Sequence, residues 1–150
     1  MLCVRLRQWV LTLFIFSLGG ELMAQSALKT KFSNSNIYTG IEVGSKGVKM
    51  SVIEMGKNAK SNGAFHILKD TSVNTDFISF TGSSFDATLN GFTALYNTAL
   101  KEYKIPAKRI FTVISSGVKM QAEKDNKSDW INRLIQSFRQ NTGETERQGE

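Results

Sequence analysis

The chain has 150 residues and a formal net charge of +6, from 19 lysines and arginines against 13 acidic residues. One cysteine and one histidine exclude a disulfide framework and a cysteine-built metal cluster, and leave a single candidate base for a nucleophilic serine. The positive charge is dispersed, with no run of four basic residues and no interleaved basic and aromatic stripe, which argues against a nucleic-acid partner.

At the N-terminus, Arg5 and Arg7 precede an apolar run over residues 9–18, followed by Gly19-Gly20 and small or polar residues. A positive flank, a short apolar core and a small-residue site are the layout of a secretory signal peptide. The expected leader is residues 1–24, with cleavage after Ala24 or two residues later. A membrane span needs about 20 apolar residues, so no stable membrane anchor is expected after cleavage. Cys3 leaves with the leader, and the remaining chain is expected to be periplasmic or secreted and to form one domain.

Residues 25–36 are polar and rich in Ser and Asn, which suggests a flexible lead-in. Ile37, Thr39, Ile41 and Val43 then alternate with Tyr38, Gly40 and Glu42, a period of two that predicts a strand. Alternation resumes at Val48, Met50 and Val52 after a short Gly-containing turn, so the two strands form a hairpin. A second turn over 56–63 leads to a third short strand at 64–68, where His66 reads as a strand residue. The stretch 71–85 shows no clear period and is expected as a long loop with a brief extended piece at 77–80.

From Asp86 the period changes. Leu89, Phe92, Leu95 or Tyr96, Ala99 and Tyr103 predict an amphipathic helix over 86–104, with Ser84 as N-cap, Lys101 and Lys104 near its end and Pro106 beyond. "RIFTVIS" reads as a buried strand, "QAEKDNK" as a polar link, and Ile131, Leu134, Ile135 and Phe138 as the core face of a second helix from about Ser128. Gly143 ends that helix, and 144–150 form a polar tail. The order β-β-β-α-β-α predicts an α/β or α+β domain over 37–143, with a mixed sheet whose fourth strand runs parallel to one of the first three.

The turn Gly44-Ser45-Lys46 invites comparison with a phosphate-binding P-loop. That motif needs G-x-x-x-x-G-K-[ST] and a following helix. Here the spacing is one short, Lys follows Ser, and a strand follows. By itself the turn is an ordinary hairpin turn.

"GIEVGSKGVKMSVIEM" nevertheless resembles the opening of the Ppx/GppA exopolyphosphatase/guanosine pentaphosphate phosphohydrolase family, of consensus near A-I-D-I-G-S-N-S followed by an apolar strand. A second stretch, "RIFTVISSGVKMQA", is similar to the strand-to-helix turn around that family's A-T-S-A-L-R. Ser115 falls at its Thr, Ser116 at its Ser and Lys119 at its Arg. The resemblance spans roughly residues 37–143. It implies the first lobe of the ribonuclease H-like, actin-like ATPase fold. It also implies phosphate binding by Gly44, Ser45, Lys46, Ser115, Ser116, Gly117 and Lys119, with Glu42 orienting a water or, indirectly, Mg²⁺.

The family pattern is not kept throughout. Glu42 stands where the family has Asp, a shift of about an ångström in a metal-orienting oxygen that weakens catalysis. Lys46 and Gly47 replace Asn and Ser. The family's G-x-E-E-A stretch and second phosphate loop are missing from "TGETERQGE", so the chain reads as a truncated lobe completed by a second lobe or a partner chain. The function expected is that of an exported phosphatase lobe binding polyphosphate or a nucleotide and inactive alone. The alternative is an exported, non-enzymatic binding or interaction module.

Overall fold

In a computed structural model, residues 28–32 and 35–144 are described. The expected signal peptide over 1–24 and residues 145–150 of the expected tail lie outside them.

The predicted hairpin forms as β1 (Asn36–Gly44) and β2 (Gly47–Met55), antiparallel and in register from Asn36 opposite Met55 to Gly44 opposite Gly47. Only Ser45 and Lys46 lie between them, and neither has a positive φ. The usual two-residue hairpin turns place one or both residues at positive φ, so this turn is of another type. The reason for glycine lies at Gly47, where a Cβ would stand 2.2 Å from the Val73 carbonyl oxygen. A Cβ on Gly44, by contrast, would meet only ordinary contact, at 3.4 Å from the Gly47 carbonyl oxygen.

That crowding comes from β3 (Phe65–Asn74), which pairs antiparallel with β2 along its whole length. The strand is longer than the expected 64–68, because residues 69–74 continue the ladder past a register shift at Val52/Ile53. The expected extended piece at 77–80 is instead a 3-10 turn, Phe77–Ser79. It is flanked by Asp76 and Phe80, both in the left-handed region at φ 49° and 47°.

The first long helix, α1 (Gly82–Asn97), starts four residues earlier than expected and ends in a wider turn at Thr98–Glu102. Its N-cap is Thr81 and not Ser84. The Thr81 oxygen accepts from the Ser84 N–H at 3.2 Å, while the Ser84 oxygen accepts from the Thr81 N–H at 3.1 Å. Ser84 is thus the third residue of a capping box. The chain then enters β4 (Ile110–Ile114), which lies parallel to β1, as the crossover helix requires. The polar link expected at 121–127 is largely helical: α2 (Ser116–Lys124) precedes α3 (Ser128–Thr142).

The four strands form one mixed sheet in the order β3-β2-β1-β4, the α/β arrangement expected. Its helix-bearing face carries Ile41, Val43, Val48, Met50 and Val52, all buried against Phe92, Tyr96, Leu134 and Phe138. Phe92 and Phe138 stack with centroids 3.8 Å apart. Trp130 packs edge-on against Phe80 and Phe85. The opposite face has no helix among the described residues, and there Phe111 and Val113 of the edge strand β4 are 60% and 46% exposed. Thr39 is buried in the core, and its hydroxyl has no partner among the described residues.

The lead-in is tied down where it is described. The fully buried Glu54 carboxylate accepts hydrogen bonds from the Lys31 N–H (2.6 Å), the Phe32 N–H (2.9 Å) and the Ser35 hydroxyl (2.6 Å). Burial by itself pushes the Glu54 carboxyl up. The Ser35, Lys31 and Phe32 hydrogen bonds and the neighbouring His66 outweigh it, so the group is held below its usual range. Polar sequence suggested flexibility, but the segment supplies the donors a buried carboxylate needs. Among the described residues, no helix is long and apolar enough to cross a membrane.

Candidate phosphate-binding site

Parallel pairing of β1 with β4 brings two distant turns to the same end of the sheet. Val43 sits opposite Ile114, and the Ser115 N–H continues the ladder by donating to the Val43 carbonyl at 3.0 Å. The hairpin turn and the start of α2 therefore lie side by side although they are seventy residues apart. A groove of about 260 Å³ runs between them, lined by Glu42, Gly44, Ser45, Lys46 and Ser115 together with Lys49, Ser72 and Asn74.

Ser115 is the N-cap of α2, its hydroxyl accepting from the Val118 N–H at 3.4 Å. The Lys119 N–H donates to the Ser115 carbonyl. This leaves the N–H groups of Ser116 and Gly117 without a partner among the described residues, as expected at the open end of a helix. The Ser45 and Lys46 N–H groups in the hairpin turn are likewise unpaired there. The Ser45 and Lys46 donors line the groove beside the N-cap Ser115, an arrangement able to face an anion. The side chains of Ser116 and Lys119 are exposed on the first turns of α2, and neither they nor Gly117 line the groove.

Glu42 occupies a central strand, but that strand is covered on one face only, and Glu42 points to the open one and is exposed. It faces Lys49 across β2 and Val113 across β4. A charge there is solvated and needs no buried counter-ion. Gly40, two residues earlier on the same face, has open space where a Cβ would be. Sequence reading missed Lys49, Ser72 and Asn74. The alternation Ser72-Val73-Asn74 was the available signal that β3 extends to the groove.

A divalent cation was implied for this site. Glu42 is the one carboxylate among the residues lining the groove, where Lys46 and Lys49 accompany it. Among the described residues, no group of three His, Cys, Asp or Glu side chains is placed to hold a metal. Mg²⁺ needs near-octahedral oxygen ligation, usually from one or two carboxylates plus waters and phosphates. A lone carboxylate beside two lysines does not fit such a site by itself.

No protein-family model matches the chain, and no curated protein matches it. Solved structures do match. A Ppx/GppA family member from Aquifex aeolicus superposes with a TM-score of 0.51 at 15% identity, covering 68% of this chain and 32% of its own. A further structure of the Aquifex aeolicus PPX-GPPA enzyme gives 0.51 at 14%, over 69% and 33% of the two chains. The type II variant of the Aquifex aeolicus Ppx/GppA phosphatase gives 0.50 at 14%, with the same coverage. The fold is that of about a third of each Ppx/GppA structure. This is the actin-like architecture that the two motifs implied, and at this identity the likeness is one of fold. The chain spans about a third of the length of the solved structures it matches.

Proposed function

We propose that this chain is an exported, Ppx/GppA-like lobe that binds a phosphate-rich ligand, such as polyphosphate or a nucleotide, in the groove between the hairpin turn and Ser115. One observation carries this reading: Gly44, Ser45, Lys46 and Ser115, drawn from two separate motifs, line a single groove. Backbone donors at both turns would take phosphate oxygens, and Lys46 and Lys49 would supply charge. Ser116, Gly117 and Lys119 extend this donor surface along α2.

Hydrolysis is assigned to a longer assembly and not to this lobe. A single carboxylate flanked by two lysines favours holding an anion over activating a water against it. The same observation favours the second reading, a binding or interaction module without catalysis. In a thermal-shift series on the full chain, polyphosphate or ATP with Mg²⁺ should raise the melting temperature, and Lys46→Ala should reduce the gain. Absence of any shift in the wild type would remove the phosphate reading. Metal-dependent phosphate release from the purified chain would refute its inactivity.

A further inference from the structure

A second groove, about 580 Å³ in volume, adjoins the first and shares Lys46 and Asn74 with it. Its floor comes from the end of β3, the 3-10 turn and the start of α1. Asp76, Ser79, Thr81 and Ser83 run along it and Ala87 is the one apolar residue type, although the polar residues turn much of their carbon surface to the groove. The hydroxyls form a row: Ser79 to Thr81 at 3.4 Å and Thr81 to Ser83 at 3.1 Å. A hydroxyl can donate once and accept twice, so Ser79 and Ser83 at the ends of the row retain capacity. The side chains of Lys46, Asn74 and Asp76 have no partner among the described residues.

We infer that this second groove receives the hydroxylated part of a phosphorylated polyol or sugar, whose phosphate sits at the hairpin turn. This rests on the reading above that the hairpin turn holds phosphate, and in place of polyphosphate or a nucleotide it assigns a phosphate monoester of a polyol or sugar as the ligand. No aromatic ring lines either groove, so a nucleobase has no surface on which to stack. Asp76 would repel the further phosphates of a polyphosphate chain, whereas a carboxylate accepts readily from sugar hydroxyls. Lys46 stands where the two grooves meet, within reach of the ester phosphate. The combined space suits a small phosphorylated molecule.

The test is calorimetry on the full chain with four probes: inorganic phosphate, glucose 6-phosphate, ATP and polyphosphate. Two or more added hydrogen bonds should make glucose 6-phosphate bind about tenfold tighter than inorganic phosphate. Asp76→Asn and Ser83→Ala should each reduce that gain while leaving inorganic phosphate binding unchanged. Inorganic phosphate binding without a gain for glucose 6-phosphate overturns this inference and leaves the phosphate reading standing. The same holds if ATP or polyphosphate binds tighter than glucose 6-phosphate. If none of the four binds, the phosphate reading itself falls.

Discussion

A Cβ on Gly47 would stand 2.2 Å from the Val73 carbonyl oxygen and 3.0 Å from the Asn74 Cα, so the hairpin turn and the end of β3 fit together only with glycine at that position. The obstruction is backbone, which cannot swing aside like a flexible side chain. Gly47→Ala should destabilise the fold by about 2–3 kcal/mol, read as a lower midpoint in urea. Gly44→Ala, with its nearest contact at 3.4 Å, should cost clearly less. Equal losses would show that turn conformation, and not crowding by β3, selects glycine here.

The Thr39 hydroxyl is buried on the helix-bearing face of the sheet with no partner among the described residues. An unsatisfied hydroxyl costs free energy that a methyl group of the same shape does not. Thr39→Val should therefore stabilise the chain by about 1 kcal/mol. A loss of stability instead would mean that the hydroxyl has a partner in solution.

Glu54 ties the lead-in to the sheet through three hydrogen bonds to its carboxylate. Its folded-state pKa is depressed, so its contribution is complete above the unfolded value. The contribution is lost as pH falls through the folded value. Glu54→Gln should lower the melting temperature at pH 7, with the gap to wild type closing below about pH 4. A gap that stayed constant across that range would assign the effect to packing and not to charge.

Phe111 lies on the open face of an edge strand and is 60% exposed. Phe111→Lys should change stability by no more than about 0.5 kcal/mol while raising the concentration at which the protein associates, because a charge blunts an unprotected edge. A large loss of stability would show that the ring is covered.

Much of the sheet was legible because alternation survives in β1 and β2, where one face is buried and the other is open. The limits of local sequence show in Gly-Val-Lys-Met, which occurs twice. At 47–50 it is strand, paired on both sides, and at 117–120 it is the first turns of α2. Neighbours and burial, and not the tetrapeptide, decide between them. The boundary of α1 was misplaced because Thr81 and Ser84 are both capping residues, and only geometry shows which comes first. The end of β3 was obscured by Asp76 and Phe80, which take left-handed φ without being glycine. As for the site, its two halves could be named from the chain. Their adjacency followed from the crossover, while Lys49 joined them through the pairing of β2 with β1, and Ser72 and Asn74 through the pairing of β3 with β2.

The central claim is that the two turns hold phosphate together, and a titration of backbone amide resonances with polyphosphate tests it most directly. Ser45 and Lys46 line the groove and, with Ser116 and Gly117 at the adjacent start of α2, carry N–H groups unpaired among the described residues, so their signals should move together, with one shared affinity, and Lys46→Ala should weaken all four. Shifts confined to scattered surface lysines, or none at these four amides, would contradict it.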